Sequence, residues 1–216
     1  MPKTNKQTPG FETLSIHAGS RPEPVTGARN TPIYQTSSYV FEDTEHAADL
    51  FNLSRFGFIY SRLTNPTTSV LEERLAALEN GRGAVAAASG HAAQFITFFT
   101  LMEPGDEFIA SKNLYGGSIT QFGISFKKLG WNCKFVDPSN PKNFTKAITK
   151  KTKAIFLEVL ANPGGIVVDL EEIVKIANEA EIPVIVDNTM ASPFLLKPID
   201  WGADLVLHST TKYLNG

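Results

Sequence analysis

The stretch AIFLEVLANPGGIVVDLEEIVKIANEAEIPVIVD, residues 154–187, decides the fold. It opens on a strand-sized apolar run, 154–159, and closes on another, 183–187. Between them Leu170, Ile173, Val174, Ala177 and Ala180 fall on one face of a helix spanning 169–180. Strands that are apolar almost throughout are buried on both faces, and a helix between two of them is a crossover. Working outward, further strands are predicted at 84–88, 107–110, 134–136 and 204–208. A helix over 91–102 is stopped by Pro104-Gly105. Another starts with Asn65 as cap and Pro66 at its first position. It carries Val70, Leu71, Arg74, Leu75 and Leu78 at helical spacing and ends by Gly81. The pattern predicts an α/β fold, a mostly parallel sheet flanked by helices. Residues 1–65 are rich in Pro, Thr, Ser and Asn and read as an extended arm, with 66–216 forming the sheet domain. There is no internal repeat and no low-complexity tract.

Bulk properties narrow the function classes. The 216 residues carry a formal net charge of -2 and are 42% hydrophobic, the composition of a globular domain with one filled core. So even a balance gives no electrostatic footprint for nucleic acid or an anionic membrane. The polar start MPKTNKQTPG lacks an apolar signal core, and no apolar run approaches the ~20 residues that span a bilayer. A single cysteine, Cys133, rules out an internal disulfide framework and points to a reducing compartment, so the cytoplasm is expected. In the run WNCKFVD that thiol reads as a small core residue rather than a nucleophile. His17, His46, His91 and His208 are scattered without metal-ligand spacing, so no metal site is expected.

In open α/β sheets ligands bind beyond the carboxyl ends of the strands. Ser89-Gly90 follows one predicted strand and opens a helix; it is either a simple turn or an anion site built from free N–H groups. Tyr115, in the Gly-bordered loop NLYGGS, either packs on the surface or offers a ring to a planar ligand. Asp187 ends the apolar run PVIVD, where a carboxylate needs a cap, an ion pair or a cationic ligand. Lys212 follows DLVLH and the hydroxyls of Ser209, Thr210 and Thr211. A lysine is usually a surface residue, but one desolvated at a strand end can attack an aldehyde. Ser209 and Thr211 are spaced to bind one phosphate, the same that Ser89-Gly90 would hold. Asn162, in NPGG, reads as a turn residue on spacing alone.

At these residues the chain resembles a known family. HSTTK (208–212), VDNT (186–189), YSR (60–62) and NPTT (65–68) resemble the Cys/Met-metabolism group of fold-type I pyridoxal-phosphate enzymes. FETLSIHAG (11–19), GARNTPIYQTSSYVF (27–41), ASGHAAQF (88–95), EPGDEFIAS (103–111), LYGGSITQF (114–122) and LANPGG (160–165) are most similar to its O-acetylhomoserine sulfhydrylase branch. The resemblance runs from Phe11 to Gly216. It implies an aspartate-aminotransferase-like large domain and pyridoxal 5'-phosphate as cofactor. Lys212 would carry the cofactor as a Schiff base and shuttle protons. Asp187 would pair with the pyridine nitrogen and Tyr115 would stack on the ring. The backbone of Gly90 and His91, with Ser209 and Thr211, would hold the phosphate. Asn162 would lie near the phenolic oxygen and the substrate carboxylate. Tyr60 and Arg62 would reach the cofactor phosphate of a neighbouring subunit, so that the arm makes a dimer-based homo-oligomer, a tetramer in this group.

The implied reaction is a γ-replacement on O-acetyl-L-homoserine with sulfide or a thiol, giving homocysteine or methionine. The ending TKYLNG leans instead towards the cystathionine γ-synthase or γ-lyase branch, which stays open at this point. Members of the group run to about twice this length. The resemblance therefore implies a C-terminal domain, carrying the substrate-carboxylate arginine, outside these residues. The 216-residue chain alone is expected to bind cofactor poorly, expose apolar surface and lack turnover, the other open reading being an inactive truncated product.

Overall fold

The structure, a computed structural model, describes residues 9–215; most of the polar N-terminal start, and Gly216, lie outside them. The chain forms two compact units that divide between Ala86 and Ala87.

The first unit holds α1 (Phe11–His17), α2 (Thr44–Phe51) and α3 (Pro66–Leu78). Pro66 opens α3 and Asn65 caps it, its side chain accepting the Thr67 amide at 2.9 Å. The Asn65 side-chain amide also donates to the Tyr34 carbonyl at 2.9 Å, the Ser61 hydroxyl at 3.0 Å and the Tyr39 hydroxyl at 3.2 Å. Thr67 adds a bond from its hydroxyl to the Pro32 carbonyl at 2.8 Å. The NPTT segment thus ties irregular chain from 32 to 61 onto one helix start. Among this unit's described residues Leu50 and Leu78 are the buried apolar side chains. Polar ties, more than a core, hold it. The short helices α1 and α2 lie in a region whose composition reads as extended.

The predicted strand at 84–88 does not form. The Ala86 amide is taken by the Glu72 carboxylate at 2.8 Å instead of a ladder carbonyl, and Val85 is 81% exposed. A segment whose N–H is satisfied by a side chain, with no neighbouring strand, has nothing to pair with.

The second unit contains β1 (Glu107–Ser111), β2 (Asn132–Val136), β3 (Thr152–Glu158), β4 (Val184–Asp187) and β5 (Leu205–Leu207). They form one five-stranded sheet in the order β2-β1-β3-β4-β5, every pair parallel. Alternate residues go to opposite faces, as the two-residue period requires. Ile109, Ile155, Leu157, Val184 and Val186 pack with Phe144 from α6 (Lys142–Ala147) and with Leu170, Ile173, Val174, Ile176 and Ala177 from α7 (Leu170–Glu179). The other face is aromatic. Phe108 and Phe156 meet Phe98 of α4 (Gly90–Leu101) and Phe122 and Phe126 beyond α5 (Gly116–Thr120). Phe98 and Phe108 lie 4.2 Å apart, and Phe122 meets Phe156 edge-on at 4.8 Å. Cys133 in β2 packs against this layer, and burial pushes its thiol above the ordinary range. The last α-helix among the described residues is α8 (Ser192–Leu195).

The strand order places β2 on one side of β1 and β3 on the other. That reversal leaves a crevice at the carboxyl ends of β1 and β3, the position where open α/β sheets bind ligands.

Candidate active site

A cavity of about 250 Å³ sits at those carboxyl ends. Gly90, His91, Tyr115, Asn162, Asp187, Ser209, Thr211 and Lys212, expected at the site from sequence, all line it, together with Ser89. They come from the start of α4 and from the carboxyl ends of β1, β3, β4 and β5, which the parallel sheet brings to one edge.

The helix α4 supplies its N-terminus. Ser89 caps it through its hydroxyl, which accepts the Ala92 amide at 3.1 Å. The amides of Gly90 and His91 precede the first intrahelical bond, so they have no partner within the helix and favour an anion. A methyl group on Gly90 would come within 3.2 Å of the Ser209 Cβ; glycine there lets the helix start approach the loop after β5. That loop brings the Ser209 and Thr211 hydroxyls, and Lys212 follows in an exposed turn. The Ser209 amide donates to the Thr189 hydroxyl at 2.8 Å, and the Thr189 amide donates to the Asp187 carboxylate at 3.0 Å. The ends of β4 and β5 are thereby fixed to each other, with Asp187 oriented by the residue two positions on.

Tyr115 is the N-cap residue of α5, and its ring stands 5.9 Å from the His91 ring at an interplanar angle of 30°. Gly117 makes room for both rings: a methyl group there would lie 2.5 Å from one and 2.6 Å from the other. Deeper in the cavity wall, the buried Gln94 donates to the Ser118 hydroxyl at 2.9 Å, while its side-chain carbonyl has no protein partner.

Sequence reasoning missed Glu158. This residue ends β3, is 4% exposed and lines the cavity. One carboxylate oxygen accepts the Tyr115 amide at 2.6 Å and the other the Asn162 amide at 3.0 Å. Burial pushes its carboxyl up to about 7, the neighbouring Asp187 charge adds to that, and the two amide bonds oppose it. The available signal was a lone acid in the apolar run AIFLEVL. Thr189, Gln94 and Ser118 were also missed; nothing in their spacing marks them.

Tyr60 and Arg62 belong to the first unit, where the Arg62 guanidinium lies 5.7 Å from the centre of the Tyr60 ring, which is 42% exposed. Among the described residues no three His, Cys, Asp or Glu side chains gather as a metal site, and no helix is long and apolar enough to cross a membrane.

The donor set fits pyridoxal 5'-phosphate. Helix-end amides and two hydroxyls suit a phosphate, a cavity-lining aromatic ring suits a planar heterocycle, a strand-end carboxylate suits a protonated ring nitrogen, and one primary amine suits an aldehyde. The unpartnered Gln94 carbonyl leaves one buried acceptor for a donor entering the cavity.

Comparison with known proteins agrees. Residues 12–216 match the family model described as Cys/Met metabolism PLP-dependent enzyme. The chain is 49% identical over 205 residues to the O-acetyl-L-homoserine sulfhydrylase of Leptospira meyeri, covering 95% of this chain and 46% of that protein. It is 47% identical over 210 residues to the homocysteine/cysteine synthase of Saccharomyces cerevisiae, covering 95% and 47%. It superposes with a TM-score of 0.92 and 40% identity on a Campylobacter jejuni structure assigned as an O-acetylhomoserine (thiol)-lyase with N'-pyridoxyl-lysine-5'-monophosphate. That match covers 96% of this chain and 51% of the other. The chain spans about half the length of the curated relatives it matches. On the family match and the cavity together, the chain belongs to the Cys/Met-metabolism family of pyridoxal-phosphate-dependent enzymes.

Proposed function

We propose that the complete protein replaces the γ-acetate of O-acetyl-L-homoserine with sulfide or a thiol, giving homocysteine or methionine. The observation that carries this reading is the gathering of Lys212, Asp187, Tyr115 and the α4 N-terminus around one cavity. The relatives named O-acetyl-L-homoserine sulfhydrylase support its substrate. Bound pyridoxal phosphate supplies an electron sink for negative charge at the substrate α-carbon.

Lys212 would hold the cofactor through its Nζ, and the same amine would take the proton from the substrate α-carbon and later return it. Asp187 would keep a proton on the pyridine nitrogen. Tyr115 would cover the ring, and the amides of Gly90 and His91 with the hydroxyls of Ser209 and Thr211 would hold the phosphate. Asn162 would serve the phenolic oxygen and the substrate carboxylate. Net, O-acetylhomoserine and hydrogen sulfide become homocysteine and acetate, the sulfur taking the carbon that the acetate leaves.

The same reading makes the protein a cytoplasmic homo-oligomer built from dimers, a tetramer, in which Tyr60 and Arg62 reach the neighbouring subunit's cofactor phosphate. Val40, Leu53 and Phe56, which are 98%, 88% and 105% exposed in the first unit, support an arm that packs on another surface.

The test is to purify the full-length protein, record the visible absorption of lysine-bound cofactor and measure product from O-acetylhomoserine with sulfide, and in parallel with cysteine. Homocysteine from sulfide is expected. Cystathionine from cysteine alone would place the protein in another branch of the family, and failure to bind cofactor would sink the reading.

A further inference from the structure

Glu158 is a buried carboxylate at the carboxyl end of a central strand, and no role follows for it from the chemistry above. Its two oxygens go to two different loops. Oε1 accepts from the amide of Tyr115, after β1; Oε2 accepts from the amide of Asn162, after β3. Tyr115 is the N-cap residue of α5, where a backbone amide has no helical acceptor and must find another. Its own side chain makes no capping bond, so the backbone of Tyr115 is located by Glu158 while its ring is left to the cavity. Asn162 is located in the same way.

One rigid carboxylate spans both contacts, so the distance between the two loops is set by the width of a single functional group. Glu158 pairs in register with Asp187 on the adjacent strand, and residues in register on parallel strands project to the same side. The clamp therefore stands beside the carboxylate assigned to the ring nitrogen. Two hydrogen bonds made out of water hold the group firmly, and deleting one leaves a buried amide unpaired.

We propose that Glu158 is a positioning residue that ties Tyr115 and Asn162 to one carboxylate and so sets the spacing of the two loops lining the cofactor cavity. The proposal rests on the functional reading above and adds to it a residue that touches neither substrate nor reacting atoms. Two consequences separate it from a purely electrostatic role beside Asp187. Glu158→Gln keeps the length but sets an NH2 against a backbone N–H, so one loop is released. Glu158→Asp keeps the charge but is a methylene too short to reach both amides. Positioning requires both atoms of a carboxylate at full reach; supplying charge requires only charge.

The experiment uses the full-length holoenzyme and these two variants. Cofactor dissociation constant, circular dichroism of the bound cofactor's visible band, KM and kcat, and amide exchange at Tyr115 and Asn162 are measured for each. The expected result is a rise in the dissociation constant of about tenfold or more in both variants. The visible dichroism falls, and amide exchange quickens at those two residues in both. A Glu158→Asp variant that behaves as wild type while Glu158→Gln is impaired would overturn the proposal in favour of charge alone. So would wild-type affinity and dichroism in both variants. Failure of both variants to fold also overturns it, because a clamp on two loops is not needed by the sheet. If the wild type itself binds no pyridoxal phosphate, the functional reading has failed, and the exchange rates still decide the clamp.

Discussion

Replacing Gly117 with alanine separates the stability of this fold from the shape of its cavity. Gly117 is the second residue of α5. Within a helix, alanine is favoured over glycine by roughly 0.5–1 kcal/mol. Taken alone, the substitution stabilises. The new methyl group would nevertheless lie 2.5 Å from Tyr115 Cε1, 2.6 Å from His91 Cε1 and 2.7 Å from His91 Nε2. Carbon atoms in comfortable contact are about 3.5–4.0 Å apart, so both rings must withdraw by about 1 Å. They can do so cheaply, because Tyr115 is 51% exposed and His91 is exposed as well. The cost falls on the cavity wall instead of the core. A misplacement of that size at a catalytic constellation costs about 10²-fold in rate. The expected outcome for the full-length protein is an unchanged or slightly higher melting temperature with kcat/KM lower by about that factor and weaker cofactor binding. Thermal unfolding of the cofactor-free protein, cofactor titration and steady-state rates give the three numbers. Wild-type cofactor affinity and turnover in Gly117→Ala would refute the assignment of these rings to the site.

Three further outcomes follow from the geometry. Lys212→Ala removes the amine facing the cavity, and we expect loss of the lysine-bound visible band and a fall in turnover of at least about 10²–10⁴-fold, read from absorbance and product release. Phe156→Ala empties a fully buried site touching Phe98 and Phe122. It should cost about 3–5 kcal/mol in denaturant unfolding. For Glu158 the folded-state value is raised from 4.5 to about 7. A raised acid is more protonated folded than unfolded, so its contribution is fully present below the unfolded value and is lost as pH rises through the folded one. Urea midpoints of cofactor-free protein should therefore fall between pH 5 and 8, by up to about 3 kcal/mol in ΔG. That slope should flatten in Glu158→Gln; an equal slope in the variant would assign it to other groups.

How much of this was legible in the sequence depended on whether the deciding interaction was local. The helix α3 was legible because its cap, Asn65, and its first residue, Pro66, sit beside it in the chain. The helix α7 was legible because one face alternates at helical spacing and Asp169 caps it by accepting the Glu172 amide at 3.1 Å. The run at 84–88 failed for the opposite reason. Its apolar composition is that of a strand, but a strand exists only with a neighbour, and Glu72, 14 residues upstream, takes the Ala86 amide. The bonds that order residues 32–61 run from Asn65 and Thr67 across 26–35 positions to Pro32, Tyr34 and Tyr39, and no periodicity records them.

The site shows the same division, with one instructive exception. Asp187 was legible because it visibly ends the apolar run PVIVD and a terminal carboxylate needs a partner. Glu158 obeys the same rule and was passed over, because the apolar run AIFLEVL continues beyond it through Val159 and Leu160. Read so, the glutamate is interior, and interior charges in a buried strand carry no instruction about ligands. The strand in fact ends on Glu158, in register with Asp187 at the end of its neighbour. Val159 and Leu160 continue the apolar pattern for a separate reason: Val159 is buried in the core, and Leu160 bridges to Val167 as the chain turns back. Hydrophobic periodicity reports burial, while the ladder reports where the strand stops. At the edge of a parallel sheet those two boundaries part by a residue or two, and there a strand-end carboxylate can be hidden inside what looks like core. The Glu158→Asp and Glu158→Gln pair therefore tests more than one residue. If both variants loosen the cofactor, an acid one or two positions short of the end of an apolar run becomes a site candidate on the same physical ground as an acid at its end.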